Sequence, residues 1–210
     1  ERAGGVDVEI VAVTKTFGAD AIGAAVAAGC RAIGENYAQE LLTKWSEFTA
    51  EERGGPQRPE VHFIGQLQRN KVRQLAGVVD VYETVDRPRL ADEIAKRQPG
   101  ARVLIQVDTT DEPGKGGVGL AELDPLVDHV RGLELDLAGL MTVGPTEGGP
   151  SAAASGFRQV REAVDRLGLA VCSMGMSADL EVAVAEGSTH VRVGTALFGP
   201  RSDVHNRSEL

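Results

Sequence analysis

The sequence of 210 residues has few of the residue types that mark specialised protein classes. Its two cysteines, Cys30 and Cys172, are too few for a disulfide framework or a zinc ligand set. Aromatic residues make up 4% of the chain, and no apolar run approaches the ~20 residues of a membrane span. The first residues, from Glu1 to Gly5, do not form a signal peptide. We therefore expect reduced thiols, a cytoplasmic location and no membrane partner.

Basic residues are also scarce relative to acidic ones. The chain has 22 Lys and Arg against 31 Asp and Glu, a formal net charge of −9, which argues against a nucleic-acid partner. Hydrophobic residues are 42% and charged residues 25%, the values of an ordinary globular protein. A chain of this length can bury a core without disulfides or a metal, so we expect no metal site.

Short runs rich in valine and isoleucine alternate with longer helical stretches. Eight runs are predicted to be strands: Val8–Val13, Ala32–Gly34, Val61–Gly65, Val79–Glu83, Val103–Val107, Leu137–Thr142, Ala170–Ser173 and Val191–Val193. Seven stretches are predicted to be helices: Asp20–Ala28, Tyr37–Phe48, Arg69–Ala76, Arg89–Arg97, Ala121–Gly132, Ala152–Leu167 and Ala178–Glu186. Near-continuous apolar strands indicate a parallel sheet that is covered on both faces.

Repeated strand–helix units imply parallel strands with right-handed crossovers, and about eight such units close into a (β/α)₈ TIM barrel. The length of 210 residues is near the short end for that fold. The alternative is an open doubly wound sheet, which usually has fewer strands. Because nothing in the sequence reads as a linker, we expect a single domain over residues 1–210.

Lys15 differs in position from the other four lysines. It directly follows an apolar strand that ends at Val13, whereas Lys44, Lys71 and Lys96 lie in helical stretches with polar neighbours, where solvated charge is expected. A lysine at the end of a buried strand loses hydration, which lowers its pKa and favours nucleophilic chemistry such as Schiff-base formation. The alternative is a lysine that reaches solvent or pairs with a carboxylate.

Two glycine-rich turns follow the seventh and eighth predicted strands, where barrels commonly bind phosphate. Ser177 precedes a predicted helix as its N-cap, while Gly194 and Thr195 offer close backbone approach and a hydroxyl. Arg192 is a charge within an apolar strand and demands a partner. Two ordinary turns and a structural ion pair would explain the same residues. Together with Lys15 they favour an aldehyde-bearing phosphate ligand such as pyridoxal 5′-phosphate (PLP).

Other candidate positions carry weaker signals. Asn36 follows the second strand and could reach a ligand oxygen, while its neighbours Glu35 and Tyr37 are as readily surface groups. Met141 ends the sixth strand and could line a ligand ring, although methionine is more common in a core. On the third strand, His62 is interpreted as a packed core residue.

Six stretches in order along the chain resemble the pyridoxal-phosphate homeostasis protein family, whose relatives include the N-terminal barrel of alanine racemase. They are VAVTKTF (11–17), GENYAQE (34–40), HFIGQLQRNK (62–71), LIQVDTTDEPGKGGV (104–118), GLMTVGP (139–145) and SMGMSADLEVAVAEGSTHVRVGTALFG (173–199). The resemblance implies an alanine racemase N-terminal-domain-like barrel. Because that family has a helix before the first strand, this segment is expected to be truncated here.

The resemblance also implies roles for individual residues. Lys15 would carry PLP through a Schiff base, Asn36 would lie near the substituents of its ring, and Arg192 would face the pyridine nitrogen. Lys115 matches a second lysine near the site, without an assigned role. The phosphate would be held by Ser177, Gly194 and Thr195.

The family resemblance implies a PLP carrier that buffers the intracellular cofactor. Arg192 would keep the pyridine nitrogen unprotonated and so weaken the electron sink. Racemisation needs a base on each face of the substrate, and neither Tyr37 nor Tyr82 matches the tyrosine of the racemase's C-terminal domain. Since the chain ends at Leu210, we expect that domain to be absent. The alternatives are a low-activity amino-acid racemase and, less favoured, a Schiff-base aldolase. Expected partners are PLP and apo PLP-dependent enzymes, with a monomer or weak dimer as the assembly.

Overall fold

The computed structural model describes residues 7–47 and 58–199, which form a closed barrel of parallel strands. Its strands are β1 (Glu9–Val13), β2 (Ala32–Glu35), β3 (Glu60–Phe63), β4 (Val81–Val85), β5 (Arg102–Asp108), β6 (Asp136–Thr142), β7 (Val171–Ser173) and β8 (His190–Val193). Each strand pairs in parallel with the next, and β8 pairs with β1, which closes the sheet. The barrel prediction is confirmed, and the open-sheet alternative is wrong.

Each strand is followed by a helix on the outside of the barrel. The helices are α1 (Ala19–Ala27), α2 (Ala38–Glu47), α3 (Val72–Leu75), α4 (Pro88–Arg97), α5 (Leu123–Arg131), α6 (Pro150–Arg166), α7 (Leu180–Ala185) and α8 (Thr195–Phe198). A two-residue strand, Val118–Gly119, adds to β5 between α4 and α5. In residues 7–47 and 58–199, no helix has the length and apolar character needed to cross a membrane.

The main core lies between the helices and the outer face of the barrel. Helix α6 shows how the pattern works: Phe157, Val160 and Val164 recur at helical spacing and are all fully buried. Complete burial of each such side chain contributes about 1.5–3 kcal/mol through the hydrophobic effect. This outer layer holds the eight strand ends in place, and those ends carry the candidate site.

The inside of the barrel is a second, smaller and more polar interior. Val81, Leu104 and Met141 form an apolar layer there. Above and below it the inward positions are polar and include His62, Glu83 and Arg192, each at most 3% exposed. Charged side chains are rarely buried unless they are paired, so these three require partners inside the barrel.

Several predicted boundaries shift in the structure. Strand β4 begins at Val81 rather than Val79, because the Asp80 carboxylate accepts the Val61 N–H at 2.8 Å and belongs to the loop before the strand. Strand β3 ends at Phe63, two residues before the predicted end. The predicted end of α2 at Phe48 and the expected truncated N-terminal segment lie outside the described residues.

Candidate functional site

A cavity of about 370 Å³ opens where the strands end, on the side of the barrel where β/α loops begin. This volume is typical of a small-molecule site. Catalytic and ligand sites of (β/α)₈ barrels occur at this end. Six of the seven predicted site residues line the cavity together: Lys15, Asn36, Ser177, Arg192, Gly194 and Thr195.

Lys15 reaches the cavity from the first loop, two residues after β1 ends. Val13 and Lys15 both line the cavity, as alternation along an extended chain predicts. The next residue, Thr16, has a φ of 68°, which is uncommon for a β-branched residue. Its N–H donates to the Glu40 carboxylate at 2.5 Å, and this bond holds the turn. The backbone around Lys15 is therefore held in one conformation.

A buried lysine supports that segment from behind. The Nζ of Lys44 donates to the Thr14 carbonyl at 2.6 Å and to Glu35 Oε1 at 2.8 Å, and it also pairs with Glu40 at 2.5 Å. The Thr14 hydroxyl donates to the same Glu35 oxygen at 2.6 Å. Burial raises the pKa of Glu35, while its bonds from Lys44 and Thr14 oppose that rise. We call Thr14, Glu35, Glu40 and Lys44 the Lys15 platform.

The platform corrects two predictions. Lys44 is 5% exposed and Glu35 is fully buried, so solvated charge is the wrong interpretation for Lys44 and a surface position is wrong for Glu35. Helix α2 brings Lys44 to the end of β1, where the Thr14 carbonyl accepts its hydrogen bond. Tyr37, in contrast, is 56% exposed, as a surface group should be.

Arg192 lies on β8, 3% exposed, and also lines the cavity. Its guanidinium donates to the Ser173 hydroxyl at 2.7 Å and to the Thr142 carbonyl at 2.6 Å. It also lies 3.9 Å from the Glu83 carboxylate. Burial lowers the pKa of Arg192 and Glu83 opposes that effect, yet a guanidinium stays charged in proteins. The expectation that this charge needs a partner is confirmed.

Behind Arg192, the polar contacts continue through the barrel. Glu83 accepts a hydrogen bond from Ser173 at 2.7 Å and one from His62 Nδ1 at 2.5 Å. Burial alone would raise the pKa of Glu83, but His62, Arg192 and Ser173 outweigh it and lower the pKa to about 2. Burial would likewise lower the pKa of His62, and its carboxylate neighbours raise it to about 9. His62 is therefore a core residue that also pairs with the Glu83 carboxylate.

The cavity fits a small anionic ligand. Its described lining contains the cations Lys15 and Arg192 and no carboxylate. Asn36 Oδ1 is buried without a hydrogen-bond partner, so it can accept a hydrogen bond from a ligand. At Gly194, a Cβ atom would lie 3.3 Å from the Val13 carbonyl oxygen, so glycine allows these two parts of the cavity wall to approach closely. These features fit a small anionic ligand that can also donate a hydrogen bond.

The predicted phosphate-binding residues Ser177, Gly194 and Thr195 line the cavity together, but Ser177 does not cap a helix as predicted. Helix α7 begins at Leu180, so Asp179 precedes it and Ser177 is not its N-cap. Asp179 instead accepts the Met176 N–H at 2.6 Å, which shapes the turn. The Ser177 hydroxyl accepts the Ala196 N–H at 3.3 Å and so joins this turn to the start of α8.

Met141 and Lys115 lie away from the cavity lining. Met141 is 1% exposed and packs inside the barrel against Val81 and Leu104, so the structure does not bring it to the cavity. Lys115 donates to the Gly144 carbonyl at 2.7 Å and pairs with Glu112 at 3.0 Å, which joins two neighbouring loops. In the described part of the chain, no cluster of three or more His, Cys, Asp or Glu could hold a metal.

Sequence reasoning missed Glu83, Ser173 and Lys44. Glu83 lies in the apolar run Val81–Val85, so it gives the same signal as Arg192: a charge inside a buried strand. That signal predicts a buried partner for each residue. Ser173 and Lys44 give no comparable signal, because a serine and a helical lysine are ordinary surface residues.

Comparisons with known proteins agree on one family. Residues 1–202 match the family model described as alanine racemase, N-terminal domain. The pyridoxal phosphate homeostasis protein of Escherichia coli (strain K12) is 41% identical over 208 residues, which cover 93% of this chain and 86% of that protein. A protein of the same name from Pseudomonas aeruginosa is 39% identical over 201 residues, covering 92% of this chain and 85% of that one.

A solved structure extends the likeness to three dimensions. The structure of PipY from Synechococcus elongatus with PLP bound has a TM-score of 0.81 and 32% identity, and the match covers 91% of this chain and 92% of PipY. A Clostridium difficile alanine racemase, at 14% identity and a TM-score of 0.71, shares the barrel fold over 94% of this chain and 53% of its own. The chain belongs to the pyridoxal phosphate homeostasis protein family and has an alanine racemase N-terminal-type barrel.

Proposed function

We propose that this protein binds PLP in the cavity at the strand ends and carries or buffers it for apo PLP-dependent enzymes, without robust catalysis of its own. The observation that carries the proposal is the cavity lining: a strand-end lysine, an unpartnered buried amide oxygen and a buried arginine, with no carboxylate among the described lining residues. PipY, which shares the fold at 32% identity, has been solved with PLP bound.

When bound, PLP supplies an aldehyde that condenses with a primary amine and a ring that withdraws electrons. Lys15 is the amine that we assign to the Schiff base, since it lines the cavity and is held by the Lys15 platform. Arg192, on the cavity wall, would hold the pyridine nitrogen. Asn36 would accept from the ring hydroxyl, and the turn of Ser177 with the start of α8 would hold the phosphate.

Weak catalysis is expected because the described cavity lining has no second acid–base group besides Lys15. Racemisation needs an acid–base group on each face of a bound substrate, and Lys15 can serve one face. Of the two tyrosines, Tyr37 is largely exposed, while Tyr82 is buried and donates its hydroxyl to Gln98 at 3.0 Å. Neither lines the cavity. Arg192 further weakens the electron sink because it cannot donate a full proton to the ring nitrogen.

The proposal is tested by loading and transfer. Purified protein incubated with PLP and desalted should keep a visible absorption band, and it should restore activity when mixed with an apo PLP-dependent enzyme. A desalted protein without the band, under conditions where PLP is in excess, would contradict PLP binding. A band that persists without any transfer to the apo-enzyme would contradict the carrier role alone.

A phosphate-specific prediction concerns Ser177. The change Ser177→Ala should weaken PLP binding by about 1–3 kcal/mol, because a charged acceptor loses a hydrogen-bond partner. Pyridoxal, which lacks the phosphate, should bind much less well than PLP, and Ser177→Ala should not weaken it further. Both affinities are measured by titration of the absorption band. Equal affinity for pyridoxal and PLP in the unaltered protein contradicts this assignment of the phosphate site.

The racemase alternative makes a different prediction. Since one acid–base group is worth about 10²–10⁴-fold, a cavity with only Lys15 should racemise L- or D-alanine no faster than a mock preparation. Slow exchange of the α-proton with solvent remains compatible with Lys15 acting alone. Chiral chromatography measures the first rate and NMR the second. Interconversion of both enantiomers at comparable, sustained rates, lost in Lys15→Ala, would establish the racemase instead.

A further inference from the structure

We propose that Glu83 is a positioning residue, which acts through the Ser173 hydroxyl to set the orientation of Arg192 at the cavity wall, with His62 as its balancing charge. The proposal rests on the proposed function, because it assigns residues to the binding of PLP. None of Glu83, Ser173 and His62 lines the cavity. All three are buried, and hydrogen bonds connect them in series to Arg192.

In this series of buried hydrogen bonds, the donor and acceptor of each bond follow from the chemical groups involved. Ser173 Oγ lies 2.7 Å from both an Arg192 guanidinium nitrogen and Glu83 Oε2. A guanidinium can only donate, so Ser173 accepts from Arg192 and has one proton to donate, to Glu83. The ionised Glu83 can only accept, and its other oxygen takes the His62 Nδ1 proton at 2.5 Å. These directions give the Ser173 hydroxyl and both Glu83 oxygens a partner, whereas His62 Nε2 is buried without a hydrogen-bond partner.

This arrangement holds Arg192 at two points. One guanidinium nitrogen is tied to Ser173, and the other donates to the Thr142 carbonyl at 2.6 Å. A guanidinium has five N–H groups in one plane, so two bonds to the barrel wall fix the plane and leave other donors for the cavity. The donor offered to a bound ring is therefore placed before the ligand arrives, which lowers the cost of binding.

The charges of the hydrogen-bonded series alternate in sign. The Glu83 carboxylate lies between the Arg192 guanidinium, 3.9 Å from one of its oxygens, and the His62 ring. His62 Nε2 lies 3.8 Å from Glu60 at the other end of the barrel, and the His190 ring lies 6.3 Å from the His62 ring. A buried carboxylate flanked by two cations remains ionised, so the Ser173 proton continues to point away from Arg192.

The most direct test removes the bridge and leaves both charged partners in place. In Ser173→Ala, we expect PLP to bind about tenfold more weakly and the visible band of the bound cofactor to shift, because Arg192 loses its acceptor. The matched control is Ser188→Ala, which removes another buried hydroxyl that bonds only to carbonyls, including those of Met174 and His190 at 2.8 Å. That control should keep both affinity and band position.

A second variant tests the route through Arg192. Glu83→Gln should weaken PLP binding in the unaltered protein and should add no further loss in an Arg192→Lys background, where the positioned donor is already gone. If Glu83→Gln does not fold, the Ser173→Ala variant alone tests whether Arg192 is positioned through Ser173. Unchanged affinity and band in a folded Ser173→Ala protein would overturn this inference while PLP binding stands. If the unaltered protein binds no PLP, both the proposed function and this inference are wrong.

Discussion

Lys15→Ala is expected to abolish the covalent attachment of PLP. Only a primary amine can form the Schiff base, and Lys15 is the lysine that lines the cavity in the described structure. After loading, borohydride reduction and digestion, the unaltered protein should yield a single modified peptide that contains Lys15. In the variant this adduct and the visible band should both disappear. The contacts from Arg192 and Ser177 remain, so weak PLP binding that desalting removes is expected.

Lys96→Met is a suitable matched control for this experiment. Lys96 is an exposed residue of α4, far from the cavity lining, and its loss should leave the adduct and the band unchanged. An adduct on Lys115 or Lys71 in the unaltered protein would show that the attachment site is wrong. Lys71 is the more informative of the two, because it lines a neighbouring cavity that shares Asn36 with the main one.

The barrel and the position of Lys15 could be predicted because both depend on local patterns. Continuous Val- and Ile-rich runs separated by helices lead to parallel strands, and the ends of parallel strands meet at one side of a barrel. That rule places Lys15, Asn36 and Gly194 together without any knowledge of side-chain packing. All three residues line the same cavity.

The partners of the buried charges could not be predicted in the same way. Arg192 is 109 positions from Glu83 in the sequence, and only the closure of the barrel brings the two together. The polar sequence neighbours of Lys44 favour a solvated side chain, yet α2 brings its Nζ to the Thr14 carbonyl and to the buried Glu35 carboxylate. In both cases the deciding contact joins distant parts of the chain.

Met141 and Ser177 show how small local shifts change a role. The pairing of β5 and β6 shifts register between Val103 and Leu104, and Met141 packs in the apolar layer inside the barrel. Strand alternation alone does not reveal such a shift. For Ser177, the helix begins two residues later than its N-cap pattern implies, and its hydroxyl instead accepts the Ala196 N–H.

The ion pair of His62 and Glu83 predicts a loss of stability on the alkaline side of neutrality. The pKa of His62 is raised from 6.5 to about 9 in the folded protein, chiefly because its carboxylate neighbours outweigh the effect of burial. A raised folded-state pKa contributes stability that is fully present below pH 6.5 and is lost as the pH rises to about 9. A shift of this size corresponds to about 3 kcal/mol of the free energy of unfolding.

Urea unfolding at intervals between pH 6 and pH 9, in reductant, measures this loss directly. The unaltered protein should lose stability across that range, whereas His62→Gln should give a nearly flat curve that starts several kcal/mol lower at pH 6, because Glu83 is left without its closest cation. His129→Gln is the matched control: it removes a histidine that pairs with Asp92 at the surface, and it should keep the slope of the unaltered protein. The pKa of His190 is lowered by burial and also by the nearby His62, so both curves are measured in a His190→Gln background. A free energy of unfolding that is constant or rises from pH 6.5 to pH 9 in the unaltered protein would mean that His62 is neutral in the fold. Arg192 would then be the cation that balances Glu83, and Ser173 and His62 would contribute hydrogen bonds without charge.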